Sequence, residues 1–202
     1  KGVMIKKLTL IIGFIICLSS CGKDYVYRIE GELSNLEDQT VYAVFEKDNY
    51  KVVDTVACTK PGQFQIDQNE AGFHCVTIFF ADKEHWVTAY LEPGETVKIT
   101  GDANSPLLLQ VKGGRTNDKL AAFKKKIAPL LTELTNLSNS LNSKDLNDTI
   151  EETDIAARLA NVNMQLSEEA IRYVKENPNE EASVVLIQSF FSDPDDTRKI
   201  DE

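Results

Sequence analysis

Gly113-Gly114 divides this chain into two stretches with different hydrophobic periods, and one layer of structure cannot satisfy both. Before it, apolar residues come in short runs that alternate with polar ones. Tyr25, Tyr27 and Ile29 alternate with Arg28 and Glu30. Val41 to Phe45, Val52 to Cys58, Phe64 with Ile66, Val76 to Phe80, Trp86 to Leu91, Val97 to Thr100, and Leu107 to Val111 follow. A period of two puts one face of a strand in a core, and short runs separated by turn residues predict an all-β sandwich or barrel. Pro61-Gly62 and Glu92-Pro93-Gly94-Glu95 suit type II turns, where proline sets φ and glycine accepts a positive one. After the glycine pair, Leu120, Phe123, Ile127, Leu130, Leu131, Leu134, Leu137 and Leu141 recur at helical spacing. Thr116 or Asn117 is a candidate cap, and Pro129 predicts a kink or break. A polar joint at 142–148 leads to a second striped helix, from Ile150 to Val174. Asn177-Pro178 stops that helix, and a third starts near Glu181. The expected fold is mainly β with α: an antiparallel β-sandwich over 25–115, then a helical segment over 116–202.

The first 20 residues have another character. Lys6 and Lys7 precede an apolar run from Leu8 to Leu18, followed by Ser19, Ser20 and Cys21. Basic, apolar and small-residue regions in this order read as a secretory signal. The run falls short of the about 20 apolar residues that span a bilayer. Leu18-Ser19-Ser20-Cys21 resembles a bacterial lipoprotein lipobox. The resemblance implies cleavage before Cys21, a lipidated N-terminus over 21–24, and tethering in the cell envelope at the outer membrane, on its periplasmic or surface face. An ordinary signal cut elsewhere, with Cys21 incidental, is the alternative. Met4 is the expected start of the natural reading frame. Each buried methylene of an acyl chain contributes about 0.8 kcal/mol, so two or three chains hold a protein firmly.

Charge narrows the partners. The chain carries 32 acidic against 22 basic residues, a formal net charge of −10. Lys1, Lys6 and Lys7 belong to the leader, so the remainder is more acidic still. Such a surface repels phosphate backbones and anionic headgroups, and nucleic acid is not an expected partner. Attachment to a membrane then falls to the lipid.

No catalytic motif, metal set or cofactor loop stands out. His74 and His85 with Cys58 and Cys75 lack the short paired spacings of zinc ligands. Glu151-Glu152, Glu168-Glu169 and Asp193-Pro194-Asp195-Asp196 lack the spacing of a calcium loop and read as solvated faces. Gly113-Gly114-Arg115 is not followed by a phosphate-binding lysine motif. No G-x-S-x-G marks a nucleophile, and no C-x-x-C marks a redox centre. Cys58 and Cys75 are the one candidate thiol pair. A meander through Lys60-Pro61-Gly62-Gln63 would set them about 10 Å apart across an intervening strand, beyond the about 7 Å that a disulfide bridges. Strands folded onto opposite sheets would remove that obstacle. Tyr25, Tyr27, Tyr42, Trp86 and Tyr90 could serve a carbohydrate or peptide binder, although aromatics in strands more often pack in cores or across strands.

Several pieces in order carry a family resemblance: Tyr27-Arg28-Ile29-Glu30-Gly31, Asp54-Thr55-Val56, Pro61-Gly62-Gln63-Phe64, Leu91-Glu92-Pro93-Gly94-Glu95, Ile99-Thr100-Gly101-Asp102, and the exit from Val111 to Asn117. Together they resemble the N-terminal domain of unknown function of many Gram-negative envelope lipoproteins. In that family the domain and its helices commonly precede a thioredoxin-like domain of the thiol–disulfide interchange type. Lys175 to Asn179, with Ala182-Ser183, resembles the segment just before that partner. The resemblance implies a non-catalytic accessory, spacer or interaction module associated with a thioredoxin-like oxidoreductase. The partner would lie in the same chain, if this is a fragment of a longer oxidoreductase, or in another. Enzyme activity of this chain itself is left open. The rival expectation is a redox protein that uses Cys58 and Cys75.

Overall fold

A computed structural model of the protein describes residues 25–36, 40–48, 50–80, 85–142 and 149–191. The strands are β1 (Tyr27–Ser34), β2 (Thr40–Lys47), β3 (Tyr50–Ala57), β4 (Gln63–Gln68), β5 (Cys75–Phe79), β6 (Trp86–Tyr90), β7 (Thr96–Asp102) and β8 (Gln110–Lys112). They form two four-stranded sheets, one in the order β4-β1-β7-β8 and the other β3-β2-β5-β6. The β-sandwich followed by a helical segment is therefore present. One pairing departs from the antiparallel expectation. β1 and β7 run parallel, with Arg28 opposite Thr96 and Ser34 opposite Asp102.

The meander is also corrected. After β3 the chain leaves its sheet at Pro61-Gly62, and β4 pairs with β1 of the other. The turn has the expected type II character, with Gly62 at φ 73° and the Gln63 amide donating to the Lys60 carbonyl at 2.9 Å. Its role is a corner, and it presses on β1: the Leu33 amide donates to the Gly62 carbonyl at 2.9 Å. A Cβ at Gly62 would stand 1.9 Å from the Leu33 carbonyl oxygen, so no side chain fits.

Alternation does the rest. Tyr27, Ile29 and Leu33 from β1, Phe64 and Ile66 from β4, and Val97 and Ile99 from β7 face Val41, Ala43, Phe45, Val76, Ile78, Val87 and Ala89 of the second sheet. Gly31 stands opposite Phe64 in the register, and the phenyl ring covers it. A Cβ there would lie 2.1 Å from the ring. Two motif residues, far apart in the chain, are thus one packed cross-strand pair.

The expected strand at Leu107 to Val111 is instead a 3₁₀ turn, Pro106–Leu108, and the short β8. The helices are α1 (Arg115–Asn142), α2 (Thr149–Glu176) and α3 (Glu181–Phe191). Pro129 does not break α1; it lies on the exposed side, where water can serve the carbonyl it leaves without a donor. α1 and α2 are antiparallel. The Phe123 and Tyr173 rings meet at 5.3 Å, and Lys126–Glu169 and Glu133–Arg158 pair further along at 2.9 and 3.1 Å. Among the described residues no helix is long and apolar enough to cross a membrane.

Candidate functional site: the joint between sandwich and helices

The joint is built from motif residues whose local pattern suggests only turns and caps. Gly113 and Gly114 have φ of 105° and 81°, conformations that suit glycine. Close approach also demands the first, since a Cβ on Gly113 would stand 2.0 Å from the Thr96 carbonyl oxygen. These two residues turn the chain from β8 into α1.

Asn117, one of the two candidate caps with Thr116, does something else. It is buried in the first turn of α1, and its amide engages edge strand β6. Its Oδ1 accepts from the Tyr90 amide at 2.9 Å, and its Nδ2 donates to the Tyr90 and Gly113 carbonyls, both at 2.7 Å. The side chain thus imitates the peptide of a neighbouring strand, and an open sheet edge becomes a helix anchor. Glu92 supplies the cap from across the chain. Its Oε1 accepts from the Thr116 amide at 3.2 Å, placing a carboxylate at the positive end of α1.

The third helix is tied to the same place. Thr116 Oγ1 donates to Glu181 Oε2 at 2.8 Å. Lys119 Nζ donates to Glu180 Oε1 at 2.8 Å, and the Tyr173 hydroxyl donates to Glu180 Oε2 at 2.7 Å. The Lys119 ammonium and then the Tyr173 hydroxyl hold the Glu180 carboxyl below its usual range. Burial, with Glu180 beside it, pushes Tyr173 up to about 12.

Between β6, the Pro106–Leu108 turn, α1 and α3 lies a recess of about 440 Å³, within the about 300–1,000 Å³ of small-molecule sites. Phe123, Ile127, Leu131 and Leu186 form apolar wall, while Trp86 and Leu107 stand exposed at its rim. Lys124 also lines it, half-buried, with Nζ donating to the Leu109 carbonyl at 2.9 Å. Burial alone lowers the pKa of that amine. Residues at helical spacing give no signal of this recess; it exists because the 3₁₀ turn and α3 both come up against α1.

Of the described residues expected from the sequence to carry chemistry, His85, Trp86 and Tyr90 border this recess and the others lie elsewhere. Leu18, Ser19, Ser20 and Cys21 lie outside the described residues. Cys58 and Cys75 are both free and are not brought together. Cys58 follows β3, whose Ala57 is opposite Thr40, while Cys75 is opposite Glu46 on the far side of β2. At about 3.3 Å per residue and 4.8 Å per strand they are on the order of 20 Å apart. Burial raises the Cys58 thiol pKa, and burial with Glu46 nearby pushes Cys75 up to about 11, so neither is poised as a thiolate. His74 pairs with Asp48 at 2.8 Å on the surface, and His85 lies beside the recess. Among the described residues no three His, Cys, Asp or Glu side chains are grouped to hold a metal.

The aromatics separate. Tyr27 is 2% exposed, in the core, with its hydroxyl accepting from the Gly72 amide at 3.0 Å. The Arg28 guanidinium lies 4.0 Å above the Tyr25 ring. Tyr42, Trp86 and Tyr90 share the outer face of the second sheet, and only the last two border the recess.

Comparison with known proteins adds one finding. Residues 27–120 match the family model described as Domain of unknown function (DUF4369). The match opens at the first residue of β1 and ends just beyond Asn117, so it takes in the whole sandwich and the sandwich's side of the joint. Neither a curated protein nor a solved structure matches the chain.

Proposed function

We propose that this protein is a lipid-tethered module of the bacterial cell envelope, acylated on Cys21 at the outer membrane. It acts without chemistry of its own, holding a thioredoxin-like thiol–disulfide partner, in the same chain or another, away from the bilayer. The observation that carries the spacer role is the braced joint. Asn117 and Glu92 fasten the first helix to the sandwich and the Thr116–Glu181 bond ties the third helix to the first, so a partner docked on the helices has a defined position. The match of residues 27–120 to a domain of unknown function is compatible with that role. The tether rests on Lys6-Lys7, the apolar run and Leu18-Ser19-Ser20-Cys21.

Mass spectrometry of the chain from cells tests the tether. The expected species begins at Cys21, carries two or three acyl chains and sediments with membranes; Cys21→Ser removes the acyl mass and releases the chain. An unacylated wild-type chain in the soluble fraction would overturn the location. Photo-crosslinking from position 184, exposed on α3, tests the partner. A product with a C-x-x-C thioredoxin-like protein is expected, and a product with any other protein, or none, refutes the spacer role.

A further inference from the structure

Of the lysines in the first three turns of α1, Lys124 is the one drawn in from solvent, and it has no acid among the described residues. Lys119 pairs with Glu180 and Lys126 with Glu169, both at the surface. Lys124 meets only the Leu109 carbonyl there, although acidic residues outnumber basic ones 32 to 22 in the chain. An ammonium has three donors, so among the described residues two are left for a ligand in the recess. A half-buried charge without a counter-ion costs stability, and a residue that served only to staple α1 to Leu109 would not need to be charged.

The walls around it are ordered along one line. Lys124, Ile127 and Leu131 stand at i, i+3 and i+7 on α1, hence on one face. At a rise of 1.5 Å per residue, Leu131 lies about 10 Å from Lys124 along the axis. Phe123 and Leu186 widen that apolar track, and Trp86 and Leu107 flank its opening. We propose that the recess is a binding site for a small amphipathic monoanion, an alkyl chain ended by one carboxylate. The Lys124 ammonium takes the carboxylate, and Ile127, Leu131 and Leu186 take the chain. The site is independent of the tether and of any partner on α3.

Calorimetric titration of the full chain with decanoate, decanol and decyltrimethylammonium, each below its micelle concentration, tests this. Decanoate is expected to bind at one site, at least tenfold more tightly than decanol, with the cation weakest. Lys124→Met, which keeps the stem and drops the charge, should erase the preference for decanoate and raise Tm in its absence; Lys124→Arg should retain the preference. Methyl NMR of the wild-type protein gives a reading that no variant's folding can disturb: decanoate should shift the Ile127 methyls. Equal affinity for decanoate and decanol, no binding of any probe, shifts elsewhere than the recess, or an undiminished preference in a folded Lys124→Met protein would each overturn the proposal.

Discussion

The sandwich and the helical segment bury their apolar residues to different depths. In the sandwich Ile29, Val41, Phe45, Val76, Ile78 and Ile99 lose all contact with solvent, whereas among the described residues of the helical cluster Ala170 alone does so. Two sheets face to face close their own core. Two long helices have only a stripe to share, and α3 and the joint must cover what remains. Unequal autonomy is the expected consequence: the sandwich should stand without the helices, while the helices should need the sandwich to hold their first turn.

The hardest blow to that asymmetry is Phe45→Ala. It should cost about 3–5 kcal/mol and unfold both regions together, as followed by chemical denaturation. Leu166→Ala, within the helical cluster, should cost about 2–5 kcal/mol, yet leave hydrogen-exchange protection in β1, β2 and β5 intact. Loss of protection throughout would mean that sandwich and helices form one cooperative unit. Asn117→Ala strands the Tyr90 amide and two carbonyls, at about 1–3 kcal/mol for a buried group left unpaired. Its signature is selective: fast exchange at the Tyr90 amide and a helical transition that separates from the strand transition.

Acid should loosen the joint by a smaller amount. The Glu180 carboxyl is held below its unfolded value, so its contribution is complete above the ordinary glutamate range and is lost as pH falls through the folded value. The helical signal at 222 nm should fall before the near-ultraviolet signal of the sandwich, and Glu180→Gln should remove that early phase. Smallest of all is the effect on thiol chemistry. Raised thiol pKa values at Cys58 and Cys75 predict slow alkylation in the native state at neutral pH, becoming fast only in denaturant.

Much of this layout is legible from residue order, because strands and helices advertise their periods locally. Pro61-Gly62 and Glu92-Pro93-Gly94 announce their turns for the same reason. What local pattern does not carry is which surfaces meet. One type II turn serves equally as a hairpin within a sheet or a corner between sheets, so the crossing from β3 to β4 has no local mark. The β1–β7 pairing joins residues far apart in the chain, and alternation is blind to strand direction. Asn117 looks like a cap because asparagine caps helices; its true partner, the Tyr90 peptide, lies on a strand 27 residues earlier. Glu92 looks like a turn residue for the same reason, and Lys124 like one more solvated lysine.

The parallel pairing of β1 with β7 sets a timetable for assembly. β1 lies between β4 and β7, so the first of the described strands to emerge is an inner one. One side is closed by β4, but the other exposes a bare row of peptide groups until Asp102 has arrived. Contacts of such long sequence separation form slowly. Until then the incomplete sheet is open to foreign strands, and a chaperone would find its target there, at the stretch from Tyr27 to Ser34.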